Sequence, residues 1–396
     1  MLTSLYNRVI VCHNPRGKLP HNLRKTTMKL NQLQARIPAL YYSALENGGP
    51  SYITESAPGR GKTSVWMQFP KLMKRIDPVG NYGISVINGA NFTLMTAMGF
   101  MVPATDALGR EISKFTLPYW FMTTEGKLLS EYDGGIILVD EADKLGMDEK
   151  KIVGEAALSK ILGSHKFPPG WVVIFAANRM SDRSGSTREL DHLINRRIKI
   201  EITDDVESWV EWALAEKLLP ETIQFGEENP QLLFEPKPED QRPWCTPRSL
   251  HQIDIHLQSL MRSFDADKIP TDPLTQEEVK GGIGAPACAQ LMKTIRLGQE
   301  LSSYEDVIAN PARIGIPTKP DAMRLMSYKI ASRVSPADAK AALVFMARMP
   351  MEHQTIFVRM AIQRSYQLAF QPDFAAWCGR NTALIAILNR YKVADK

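Results

Sequence analysis

The sequence predicts an α/β fold: a phosphate-loop core built on a parallel sheet, with a helix-rich remainder. Three stretches carry that prediction. Pro50 to Trp66 reads PSYITESAPGRGKTSVW, a short β-prone run, a Pro/Gly turn and then a helical pattern. Gly134 to Asp143 reads GGIILVDEAD, four apolar residues closing on two acids, the pattern of a buried parallel strand that delivers them to its carboxyl end. At Asp205 the character changes, because strand-like runs give way to apolar residues repeating every three or four positions.

Composition sets bounds on this reading. A chain of 396 residues, 44% of them hydrophobic, has room for two or three domains and a sizeable core. With 48 basic and 43 acidic residues the net charge of +5 is mild, so it permits a polyanionic partner without requiring one. Cys12, Cys245, Cys288 and Cys378 lie far apart with no C-x-x-C pair, which argues against a zinc site or a disulfide framework and for reduced thiols. No apolar run approaches the roughly 18 residues of a membrane span, and the amino terminus lacks a continuous apolar segment before a cleavage site. The expected location is the cytoplasm.

Taken in order, residues 1–27 form a basic arm. Arg8, Arg16, Lys18, Arg24 and Lys25 occur there with no acid, and Pro15, Gly17 and Pro20 break any periodicity. A solvated extension is expected, with a nucleic-acid tether as the functional alternative. Leu30, Leu33, Ile37, Leu40 and Leu45 then recur at helical spacing, and this helix leads through Asn47-Gly48-Gly49-Pro50 into the loop, so the α/β core is expected over 28–204. In the loop, Ser56, Pro58, Gly59, Arg60 and Gly61 shape a turn whose backbone N–H groups can converge on an anion. Lys62 would reach the β- and γ-phosphates of ATP and the Thr63 hydroxyl would ligate Mg²⁺, with Ser64 next in the nucleotide-binding set. The pattern G-x-x-x-x-G-K-[ST] wants Gly where Ser56 stands. Ser tolerates positive φ poorly, which makes the entry turn the irregular point of the motif.

A helix over about 62–75 should follow, then a short strand over 83–88 expected to lie beside the first. Met98 to Trp120 alternates apolar runs around a polar tip, Thr105 to Glu111; the pattern fits a β-hairpin or an ordinary long loop, since the tip lacks Asn-Gly or Asp-Gly. At the end of GGIILVDEAD, Asp140 is placed to hold Mg²⁺, directly or through water, and Glu141 to orient and deprotonate an attacking water. A helix over 147–162 leads to a buried strand over 171–177 that ends on Asn178. That side chain either holds the water near Glu141 or simply begins a turn. Leu190, Leu193 and Ile194 suggest a short helix ending at Asn195-Arg196-Arg197, before a half-exposed last strand over 198–202.

A helical lid is expected over 205–262. It opens with a helix over 206–218, and after a Pro-rich link Thr246 as N-cap and Pro247 at N1 start a helix to about Met261. Arg248 falls in that helix's first turn, where a cation opposes the dipole; this hints at an outside anion, with plain solvent exposure as the alternative. Over 263–396 prolines are expected to keep helices short, such as 274–279 and 289–295. Ser335-Pro336-Ala337-Asp338 should start a helix, further helices are expected over 356–368 and 382–392, and Met346, Met349, Met351 and Met360 read as core packing.

Taken together, SAPGRGKT, IILVDEAD, FAANR, LINRR and TPRSL, in this order and at these intervals, resemble AAA+ ATPases, and LGSHKFPPGWVVIFAANR with DDVESWVEWAL looks like the MoxR-type branch. The similarity covers most of 28–255. It implies an oligomeric ring, commonly of six subunits, with ATP and Mg²⁺ between the α/β domain and the lid. It gives Asn178 the sensor 1 role, Arg196 the arginine finger that completes a neighbour's site, and Arg248 the sensor 2 role. Arg197 stands where relatives usually have an apolar residue, so either arginine could be the finger, with Arg196 preferred by register. The resemblance also favours the hairpin, as an insert facing the pore or partner. Two activities fit: ATP-driven remodelling of a protein, in relatives often one with a von Willebrand factor A domain, or a nucleic-acid motor or helicase accessory.

Overall fold

In a computed structural model of the chain, the structure describes residues 27–162, 164–182, 194–264 and 268–393. The basic arm, apart from its last position, lies outside the described residues, as do Leu190 and Leu193. The chain opens with α1 (Leu30–Leu45), then β1 (Ser51–Ser56), α2 (Lys62–Trp66), α3 (Phe69–Ile76), β2 (Tyr82–Asn88) and α4 (Leu94–Met98). An antiparallel hairpin, β3 (Met101–Thr105) and β4 (Glu111–Phe115), comes next, followed by β5 (Gly134–Asp140), α5 (Met147–Ser159), β6 (Ile161–Leu162), β7 (His165–Lys166), β8 (Trp171–Asn178) and β9 (Arg197–Glu201).

Five of these strands form one parallel sheet in the order β2-β5-β8-β1-β9. The strand expected beside β1 is thus three places away from it, pairing with β5 alone. Burial explains the order: β5 and β8 are apolar on both faces and take the centre, whereas β2 carries the part-buried Tyr82 and Val86 and the exposed Asn88 and suits an edge. The period-2 alternation divides the core in two. Ile136, Leu138, Val172, Ile174 and Ala176 face Leu33, Ile37, Trp66 and Phe69 of α1 to α3, while Ile137, Val139, Val173 and Phe175 face Val153 and Ala156 of α5 together with Trp120.

Local sequence explains where other elements depart from expectation. The helix expected over 62–75 breaks at Met67 and Gln68, because Pro70 has no N–H to continue the ladder, and it restarts as α3 with that proline in its first turn. Lys160 adopts φ 59 and ends α5 three residues early, giving way to the small β6–β7 hairpin.

The remainder is helical: α6 (Val206–Ala215), α7 (Pro220–Glu228), α8 (Pro230–Leu233), α9 (Pro247–Ser263), α10 (Pro273–Ile283), α11 (Ala285–Glu300), α12 (Tyr304–Ala309), α13 (Pro320–Arg333), α14 (Ala339–Met346), α15 (Met351–Arg364), α16 (Pro372–Cys378) and α17 (Thr382–Val393). Pro273 and Pro286 begin α10 and α11 instead of interrupting them, so both helices exceed their expected spans. The helix expected from Ser335 begins as α14 after a turn in which the Ser335 hydroxyl donates to Asp338 Oδ2 at 2.9 Å. One apolar core runs from Trp209 to Leu388; Met346, Met349 and Met360 are buried in it, and Met351 is exposed.

Candidate functional site

The loop after β1 rises from the carboxyl end of the sheet. Ser56 is buried, its Cα pairs with that of Asn178 across the β1–β8 ladder, and its hydroxyl donates to the Ala57 carbonyl at 3.0 Å. Its φ is not positive. The left-handed residues are Gly59 (φ 73) and Gly61 (φ 81), so a serine at the entry meets no strain and the glycines stand where the turn requires them. Among the described residues, no acceptor takes the backbone N–H groups of Gly59, Arg60 or Gly61. Lys62 and Thr63 then open α2, with Ser64 on its exposed side and Pro58 half-buried at the lip.

Two hydrogen bonds tie this loop to the ends of β5 and β8. Lys62 Nζ donates to Asn178 Oδ1 at 2.7 Å, and Thr63 Oγ1 donates to Asp140 Oδ1 at 2.8 Å. Burial lowers the pKa of Lys62 to about 8, Asp140 and Asp143 pull it back, and Arg248 pushes it further down. Arg248 therefore lies within electrostatic reach of Lys62, at the exposed first turn of α9, where Thr246 caps the helix by accepting from Ser249 N at 3.1 Å. Glu141 follows Asp140 with φ 50, a left-handed conformation unusual for glutamate, and its N–H donates to Asp140 Oδ1 at 3.0 Å.

Arg60 turns its side chain out of the cup. The guanidinium pairs with Asp204 at 2.9 Å, reaches the Leu233 and Glu235 carbonyls at 3.4 and 3.3 Å, and lies over the Phe234 ring. Burial lowers its pKa from the usual arginine value and Asp204 opposes the shift. What Arg60 offers the cup is its backbone N–H. A Cβ on Gly59 would meet Thr246 Oγ1 at 3.0 Å, so the loop touches both the α8 segment and the cap of α9.

Arg196 is not brought to this cup. It precedes β9, whose first residue Arg197 is level with Ser51, so it sits at the amino end of the strands, about 17 Å along the sheet from the loop. The Arg196 side chain is 51% exposed and 4.0 Å from Glu155, whereas the Arg197 guanidinium is stacked 3.8 Å from the centre of the Phe175 ring.

Sequence reasoning missed Asp143, Asp182 and Asp204. Asp143 is buried and receives the backbone N–H of Asn178 at 2.9 Å and its Nδ2 at 3.3 Å; Asp182 lies near Lys62 and pairs with Arg179 at 3.0 Å. The closing Asp of DEAD was the only visible signal for the first. Nothing in the pattern singled out the other two.

No family model matches the chain, and no curated protein matches its sequence. Among solved structures, a RuvB mutant of Thermotoga maritima overlaps with TM-score 0.37 at 13% identity, over 73% of this chain and 81% of that one. The RuvB Holliday junction branch migration motor of the same organism gives 0.34 at 12%, over 73% and 80%. NtrX of Brucella abortus in complex with ADP gives 0.32 at 15%, over 92% and 70%. At TM-scores this low the overlaps add no argument, and the chain is placed as an α/β protein with a five-stranded parallel sheet by its own strand order and register.

Proposed function

We propose that the chain is a Mg²⁺-dependent ATP hydrolase of the AAA+ type, close to the MoxR-type branch, that works as a ring, commonly of six subunits, and remodels a protein partner. The observation that carries the ATP reading is the convergence of Lys62, Thr63, Asp140 and Asn178 through the two bonds of 2.7 and 2.8 Å at the carboxyl ends of neighbouring strands. Lys62 is a buried ammonium lowered to about 8, a cost that a polyphosphate in the cup would offset. The Thr63 hydroxyl and Asp140 carboxylate supply adjacent hard oxygens, which suit Mg²⁺ and would hold it. When bound, that ion supplies neutralisation of charge on the phosphate oxygens. Glu141 takes the proton of the attacking water, Asn178 positions that water, and Arg248 faces the anion from α9. The trans role falls to Arg196, since Arg197 is held against Phe175 while Arg196 stays exposed at the far end of the sheet.

The hairpin supports a protein partner over nucleic acid. Its tip has one cation, Arg110, and the guanidinium is bound to Asp106 at 2.7 Å, which leaves little charge for neutralising phosphates. Leu108 in the tip and Phe100 and Met101 at the hairpin's base are 76%, 65% and 64% exposed, apolar side chains of the kind that meet another protein, for instance one with a von Willebrand factor A domain. Cytoplasmic residence fits this reading; among the described residues no helix is long and apolar enough to cross a membrane.

Equilibrium titration with ATP and Mg²⁺ tests the cup. Wild type should bind, and Lys62→Ala should lose binding by a hundredfold or more; equal affinity in both would remove the basis of the reading.

A further inference from the structure

We infer that Asp143 is a positioning residue that locks the side-chain amide of Asn178 with its carbonyl oxygen facing Lys62 and its NH₂ facing away from the phosphate cup; the catalytic consequence rests on the hydrolase reading. The orientation of an amide is ordinarily ambiguous, because its oxygen and nitrogen look alike. Here both neighbours are chemically one-sided. A carboxylate only accepts hydrogen bonds and an ammonium only donates them. Asp143 Oδ1 accepts the Asn178 backbone N–H at 2.9 Å and both its oxygens lie near Nδ2, at 3.5 and 3.3 Å, so Nδ2 must turn toward Asp143. Lys62 Nζ stands 2.7 Å from Oδ1, and only the carbonyl oxygen satisfies it. Asp143 is itself 4% exposed, with Lys144 Nζ 3.7 Å from Oδ2, so burial and a second cation restrain the carboxylate that faces the amide.

This arrangement gives Asn178 an acceptor's function. A γ-phosphate entering the cup draws Lys62 toward its oxygens, and Oδ1 is then left pointing at the cup, able to accept a hydrogen bond from water and aim that water's lone pair. An NH₂ group in the same place would compete with Lys62 for the phosphate and could not accept from the water. The sequence alone does not contain this distinction, since it depends on which side of Asn178 the acid lies.

The test uses the full chain. In Asp143→Asn, the new amide keeps an oxygen for the Asn178 N–H but turns an NH₂ toward Nδ2, which drives the Asn178 amide to flip. The expected result is a kcat at least tenfold lower with ATP affinity within about threefold of wild type. The reciprocal variant Asp143→Asn/Asn178→Asp restores donor-to-acceptor pairing with an oxygen again facing Lys62, and should recover kcat well above either single substitution. Asparagine-selective ¹⁵N NMR supplies a readout independent of turnover: one Nδ2 signal with slow hydrogen exchange in wild type should exchange fast in Asp143→Asn. Unchanged exchange, or a kcat loss that the reciprocal variant does not recover, would overturn the inference. A wild type that binds ATP without hydrolysing it would refute the hydrolase reading instead, and the exchange of Nδ2 would still decide the position of the amide.

Discussion

At the scale of the residue, Lys62 concentrates the electrostatics of the site. Its pKa in the folded chain is about 8, against 10.5 for an ordinary lysine, and burial is the main cause. A bound polyphosphate raises it again. Binding therefore takes up a proton above pH 8, and ATP affinity should fall as pH rises through 8, approaching tenfold per unit until the pKa of the complex is reached. The sign for stability is opposite. Between about 8 and 10.5 the unfolded chain holds the proton and the folded one does not, so without nucleotide this group adds stability as pH rises through that window. Titration calorimetry of wild type in buffers of different ionisation enthalpy should register proton uptake on ATP binding at pH 8.5 that shrinks as the pH is lowered through 8 to 7; uptake that does not change over that range would show that another group is responsible. Ser56 shows where residue-level reading fell short. The motif flagged it as irregular, yet φ is a property of the completed turn, and the turn places its positive angles at Gly59 and Gly61.

At the scale of the element, the loop after β1 is braced against the helical part by Arg60. The guanidinium bridges Asp204 just after β9 and the carbonyls flanking Phe234, so loop and helices share one hydrogen-bonded strut. Arg60→Met keeps the bulk over Phe234 but removes the donors. It should cost about 1–3 kcal/mol in thermal or denaturant unfolding and weaken ATP binding several-fold; a variant as stable and as tight as wild type would show that the strut is idle. The hairpin makes a separate prediction. Deleting its tip, 105–111, should leave basal ATPase within about twofold while abolishing stimulation by a protein partner; stimulation by DNA or RNA at physiological salt, lost with the tip, would favour the motor reading. The loop, β5 and β8 were legible because short motifs and unbroken apolar runs mark them. The edge position of β2, the break at Pro70 and the β6–β7 hairpin were not, since they depend on pairing choices and on a two-residue ladder that no periodicity records. Asp143 and Asp204 escaped for a related reason: their partners, Asn178 and Arg60, are distant in sequence.

At the scale of the whole molecule, the cup lies at one end of the sheet and Arg196 at the other, so a subunit cannot use its own Arg196 at its own cup. In the proposed ring a neighbouring copy would supply it. Loss of a finger arginine costs on the order of a thousandfold in phosphoryl transfer. Arg196→Ala and Lys62→Ala subunits, each inactive alone, should regain part of the activity when mixed, because an intact Arg196 can then meet an intact cup. Arg197→Ala should cost less, given its place on Phe175. Full activity in a strictly monomeric preparation would contradict this division of labour. Hydrolysis of ATP at the cup by means of Glu141 is read from phosphate release at saturating ATP and Mg²⁺, compared between wild type and Glu141→Gln. Wild type should turn over, and the variant should lose about a hundredfold or more with ATP affinity retained; equal release by both, or none by wild type in any oligomeric form, would contradict this role of Glu141.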